Sequence, residues 1–199
     1  MTAAAIKQAA LRLFSAQGYE GTPLSAIAKE VGIKTPSLYA HFASKEQLFF
    51  AVYEDVLDEH AERLEALIES VRSEPLERKL YRILSETCRN YLLDEEKAAF
   101  IKRSMLFPPA RLEGELQSRF LQAESKQSAF LREIFEDGVR DGTLKQKDVD
   151  DLLSVYYCLL DGSFVQMFYY GPQHFHERLQ SIWAIYWEGI ANESKSYIS

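Results

Sequence analysis

Two helix starts of the form Thr-Pro, at Thr22-Pro23 and Thr35-Pro36, stand on either side of Gly32, and no other feature restricts the fold so narrowly. A hydroxyl followed by proline suits a helix N-terminus, because the first helical N–H has no intrahelical acceptor and proline lacks it anyway. Leu24, Ile27, Ala28 and Val31 recur at helical spacing after the first start, and Gly32 ends that helix where a positive φ is needed. The second start opens a short helix bearing Leu38, Tyr39 and Phe42. Ser44 then caps a further helix, and Gln47 three residues on completes a capping box. Upstream, Ile6, Ala10, Leu13 and Phe14 form one stripe, with Gly18 as its stop. Two short helices joined by a tight glycine turn make a helix-turn-helix, the unit that lays its second helix in the DNA major groove.

The side chains left outside such a packing can bond DNA. Thr35, Ser37, Tyr39 and His41 project hydroxyls and an imidazole from the second helix, and Pro36 sits at its start. Lys45 lies in the first turn of the next helix, where a cation opposes the helix dipole and a phosphate would favour it. Lys34 precedes the second helix and Ser25 opens the first. The net charge of −7 conceals a split. Residues 1–50 hold five basic against three acidic side chains, whereas the remainder holds 18 against 27. A mildly cationic head on an acidic body disfavours misoriented encounters with DNA.

The run Gly18-Tyr19, Ile27-Ala28, Gly32-Ile33, Leu38-Tyr39, His41-Phe42 and Lys45-Glu46-Gln47-Leu48 resembles, without a gap, the N-terminal signature of the tetracycline-repressor (TetR) family. It covers about a quarter of the chain. The resemblance implies an all-α fold of about nine helices, with a DNA-binding domain at 1–47 and an effector-binding and dimerisation domain at 48–199. It places Thr35, Pro36 and Ser37 where the recognition helix meets the groove, Tyr39 and His41 on backbone and bases, and Lys45 on a phosphate. Ser25 falls where a longer polar or basic side chain is usual, which puts a base contact from that position in doubt. The implied partners are a palindromic operator, a second copy of the chain and a small effector.

Beyond the head the pattern stays helical, with helices expected at 45–72, 76–94, 96–106, 111–139, 148–170 and 173–192, and Glu74-Pro75, Pro108-Pro109 and Gly171-Pro172 as breaks. The helix after Asp148 is apolar nearly all round, and the last carries a wide apolar stripe. A helix apolar on every side must be covered on every side. Tyr156, Leu160, Phe168, Leu179, Ile182, Trp183, Tyr186, Trp187 and Ile190 are therefore expected at a two-fold dimer interface, the alternative being a closed internal core. Tyr91, Phe100, Met105, Phe107, Phe120, Phe130, Tyr157, Asp161 and Phe164 are the candidates for a cavity taking a hydrophobic or cationic effector; ordinary core is the competing reading. The long helix from Lys45 is the expected lever between effector and head.

Three functional classes follow. The first is an effector-released repressor. The second is a DNA-binding dimer without a small-molecule effector, or an activator. The third, an enzyme, finds no clustered carboxylates, glycine-rich phosphate loop or metal-spaced His/Cys set, and no cofactor is expected. Cys88 and Cys158 read as buried thiols. Without a secretory leader or a membrane span in the pattern, the expected location is the cytoplasm, away from membranes.

Overall fold

The computed structural model describes residues 2–192, except the side chains of Tyr91, Leu92, Leu93, Lys126, Gln127, Phe168, Pro172 and Gln173. The secondary structure is helical: α1 (Ala3–Gly21), α2 (Leu24–Val31), α3 (Thr35–Tyr39), α4 (Lys45–Ser70), α5 (Leu76–Leu93), α6 (Glu95–Leu106), α7 (Glu113–Arg140) and α8 (Val149–Ile190). Glycines at positive φ, Gly18 and Gly171, break α1 and α8 internally. Among the described residues the only extended pairing is a single bridge between Leu144 and Ala191, and no helix is long and apolar enough to cross a membrane. An all-α fold with an N-terminal helix-turn-helix and a helical remainder is thus what the chain adopts.

Two compact units divide the chain discontinuously. The first comprises Met1–Glu62 and Leu92–Ala123, the second Arg63–Tyr91 and Glu124–Ser199. In the first unit α1 to α4 are joined by α6, whose Phe100 is buried among Phe14, Phe49 and Tyr53. Phe14 and Phe49 meet edge-on with centroids 5.1 Å apart, and Tyr19 meets Phe49 at the same distance. Lys97 ties α6 to α4 through Glu59 at 2.7 Å. In the second unit Leu80, Ile83, Leu84, Phe135 and Tyr156 form the interior, and the Tyr156 hydroxyl donates to the Leu80 carbonyl at 2.8 Å.

The helix ends follow local chemistry where that chemistry is local. Ser44 Oγ accepts from the Gln47 N–H at 3.0 Å, and Gln47 Oε1 accepts in return from the Ala43 N–H at 2.6 Å. Asp148 caps α8 by accepting from the Asp150 N–H. Thr22 departs from the expected role. Its hydroxyl donates to the carbonyls of Gly18 (2.8 Å) and Leu13 (3.1 Å), and Pro23 occupies the N-cap position without a side-chain cap. Thr22 is fully buried, and the break of α1 at Gly18 frees carbonyls that its hydroxyl satisfies. Thr35 likewise lies inside α3, whose N-cap position falls to Lys34.

Candidate nucleic-acid interface

Gly32 adopts φ 76° and ψ 30°, and two bonds close the end of α2: Gly32 N–H to Lys29 O at 3.1 Å and Ile33 N–H to Ala28 O at 2.9 Å. This is a Schellman close, and it turns the chain directly into α3. Ala28 and Leu38 are buried, so α3 lies on the rest of the unit through Leu38 while the remainder of its short surface stays free. Five residues cannot hold a helix unaided; packing of Leu38 and Phe42 supplies what propensity does not.

Ser25, Lys34, Pro36, Ser37, Tyr39 and His41 are all exposed, and Thr35 and Lys45 are half-buried. Tyr39 is 54% exposed, which is far from a packing role for its ring. The starts of α2 and α3 carry no side-chain cap; the Ala26 and Ser37 N–H groups donate to the Pro23 and Lys34 carbonyls, and Pro36 has no N–H to offer. The eight residues expected to meet DNA thus sit on α2, α3, the segments flanking them and the start of α4.

One arrangement at this surface was not legible in the pattern. Lys45 Nζ stands 4.3 Å from the centroid of the Tyr19 ring, and the Arg111 guanidinium stands 5.3 Å from the same centroid. Arg111 also donates to the Tyr19 hydroxyl at 2.6 Å. Desolvation lowers the Lys45 pKa most, the Arg111 charge lowers it further, and Glu20 acts the other way. Tyr19 therefore gathers two cations beside the recognition unit. Arg111 comes from the turn before α7, 92 residues along the chain, and no spacing rule could have linked it to Tyr19.

The residues proposed for an effector cavity divide between the two units. Phe100, Met105, Phe107 and Phe120 belong to the first unit, and Phe130, Tyr157, Asp161 and Phe164 to the second. Phe100 is core, whereas Met105 and Phe107 are exposed. Tyr157 bonds Ser128 at 2.8 Å. Asp161 is exposed rather than buried, although its neighbours desolvate it enough to raise its pKa. The side chains of Tyr91 and Phe168 lie outside the described residues.

Of the residues expected at a dimer interface, Tyr156, Leu179, Trp183 and Ile190 turn inward and are buried within one chain. Leu160, Ile182, Tyr186 and Trp187 are half-buried. Among the described residues, the large apolar side chains exposed on α8 are instead Val155, Val165, Tyr169, Tyr170 and Ile185. Cys88 is buried as expected, but Cys158 is exposed on α8.

Turn, helix positions and cation placement define a helix-turn-helix of the kind that binds DNA. The family profile described as "Bacterial regulatory proteins, tetR family" matches residues 6–52. That match takes in α2, α3 and the start of α4, about a quarter of the chain, and makes this part similar to the DNA-binding domain of TetR-family regulators. The chain is 28% identical over 173 residues to the HTH-type transcriptional repressor KstR2 of Mycolicibacterium smegmatis, covering 83% of this chain and 77% of that one. It is 44% identical over 57 residues to the HTH-type transcriptional repressor ComR of Escherichia coli, a match spanning 29% of this chain and only 27% of ComR. The crystal structure of the transcriptional regulator FadR from Bacillus subtilis, in complex with stearoyl-CoA, superposes with a TM-score of 0.76 at 19% identity, over 95% of this chain and 100% of that one. At that identity the likeness speaks for the fold.

Proposed function

We propose that this protein is a transcriptional repressor that binds double-stranded operator DNA as a homodimer through α3 and is released by a small hydrophobic or cationic effector. The observation that carries the reading is the Gly32 turn, after which Ser37 and Tyr39 on α3 and His41 just beyond its end are all exposed, with Lys45 in the first turn of α4. Residues 1–47 act as the DNA-binding part and 48–199 as the regulatory and dimerising part. Tyr39 and Lys45 contact phosphates, while Thr35, Pro36, Ser37 and His41 meet the groove. Ser25 and Lys34 stand at its edge.

A second copy covering the exposed apolar residues of α8 would give an isologous pair whose heads read half-sites one DNA turn, roughly 34–36 Å, or a multiple of it apart. An effector site in the second unit is supported by buried hydroxyls that find no hydrogen-bond partner among the described residues, those of Tyr81, Ser163 and Tyr186. The stearoyl-CoA held by the Bacillus relative supports a hydrophobic occupant. The enzyme reading gains nothing, as the relatives are regulators.

The test is fluorescence anisotropy with DNA flanking the protein's own gene, followed by selection from random DNA. Tight, salt-sensitive binding is expected. Tyr39→Ala and Lys45→Ala should both weaken it, and removing the Lys45 charge from a phosphate in both protomers should flatten the log–log salt dependence by roughly 1.8, about 0.9 for each contact. Failure to enrich any sequence, or binding indifferent to both substitutions, would overturn the reading.

A further inference from the structure

The first unit contains a cavity of about 430 Å³, within the range of roughly 300–1,000 Å³ usual for small-molecule sites. Its wall brings together the end of α1, the start of α4, the end of α6 and the Pro108-Pro109 turn. The reason for the space is local. Gly18 breaks α1 at φ 75°, and the two prolines prevent α6 from continuing over the gap. Phe14, Phe49, Phe100 and Phe107 supply aromatic surface, and Phe107 is 77% exposed at its position on the wall. Met105 and Leu106, which precede it in the chain, are exposed as well.

The wall also carries a cation. A Cβ added at Gly18 would stand 2.8 Å from Arg103 Nη1, so the guanidinium lies against the bare glycine backbone. Among the described residues no carboxylate pairs with Arg103, whereas Arg12, Arg119 and Lys97 of the same unit all have acidic partners. Glu20, the one acid on the wall, interacts electrostatically with Lys45 and Arg111. A ligand's carboxylate would thus meet a free guanidinium, and its apolar part would lie on four phenyl rings.

From this geometry we propose that the α1–α4–α6 cavity binds an amphipathic monocarboxylate, its acid on Arg103 and its chain or ring against Phe14, Phe49, Phe100 and Phe107. The site is separate from any effector pocket of the second unit. An occupant would join α1 and α4, which hold the recognition unit, to α6. The inference does not require that the head bind DNA, and its test reads ligand binding alone.

Isothermal titration of the full-length protein with octanoate and with 2-naphthoate is the experiment, with 1-octanol as the uncharged control. At least one acid should bind, and octanol more weakly than octanoate. Because the charge-assisted pair is lost, Arg103→Gln should weaken the acid by roughly tenfold or more, and Arg103→Lys should recover part of that. Octanol should bind the Arg103→Gln protein within about twofold of the unsubstituted chain, as a group carrying only charge is absent. Arg103 is exposed, so these variants keep the fold, which circular dichroism verifies. The proposal is overturned if neither acid binds, if Arg103→Gln binds the acid unchanged, or if octanol binds as tightly as octanoate.

Discussion

Replacing Gly32 with alanine isolates the backbone strain on which the recognition turn depends. At φ 76° a Cβ would meet nothing within 4 Å, so no clash contributes and the whole native-state penalty is conformational. Placing an L-residue in the left-handed region costs roughly 1–2 kcal/mol. The unfolded chain loses freedom when glycine is removed, which offsets about 0.4–1 kcal/mol of that. The net expectation is a loss of about 1 kcal/mol, with Gly32→Asn losing less because asparagine tolerates this region. Urea unfolding followed by circular dichroism measures both. Operator affinity, taken where each variant is folded, should change little, because the Gly32 and Ile33 hydrogen bonds survive. An alanine variant as stable as the parent would refute the strain argument. A loss above about 3 kcal/mol would show that the turn itself had opened and its two bonds were gone.

Gly138→Ala tests the opposite balance. Helix propensity favours alanine within α7 by about 1 kcal/mol, but the new Cβ would stand 2.3 Å from Leu76 Cδ2 and 2.9 Å from Leu144 Cδ1. Overpacking costs typically about 1–3 kcal/mol, so the variant should be destabilised in urea, and Leu76→Ala in the same chain should restore part of the loss. A thiol reagent at mildly alkaline pH should label Cys158 promptly, while Cys88, buried and pushed up to about 12, should react only on unfolding. Burial pushes Tyr53 up to about 12 and raises Tyr156 and Tyr186 as well. Because an unfolded tyrosine ionises near about 10, their contribution to stability is complete below that pH and is lost as pH climbs from there towards 12. The phenolate absorbance of these three tyrosines should therefore rise with unfolding rather than before it. A smooth titration of all tyrosines in the folded protein would contradict their burial.

What the chain's order of residues settled by itself is whatever acts over a few residues. Gly32, the Ser44–Gln47 box, the Asp148 cap and the proline breaks are short-range rules, and the helices they bound appear within a few residues of the expected positions. The apolar periodicity around them was enough to single out Ser37 and Tyr39 on α3, and His41 just after it, as exposed. Tertiary structure decided the rest, because burial and pairing depend on which distant segments meet. Thr22 was diverted from capping to the carbonyls freed at Gly18, four residues away but across a break in the helix. Arg111 reached Tyr19 across 92 residues. Apolar character alone could not say that Tyr156 and Trp183 face inward while Val155 and Ile185 face out, since both kinds satisfy the same helical spacing. The cavity beside Arg103 arises from a missing Cβ, a pair of prolines and four rings drawn from three helices and a turn, and only folding brings them to one place.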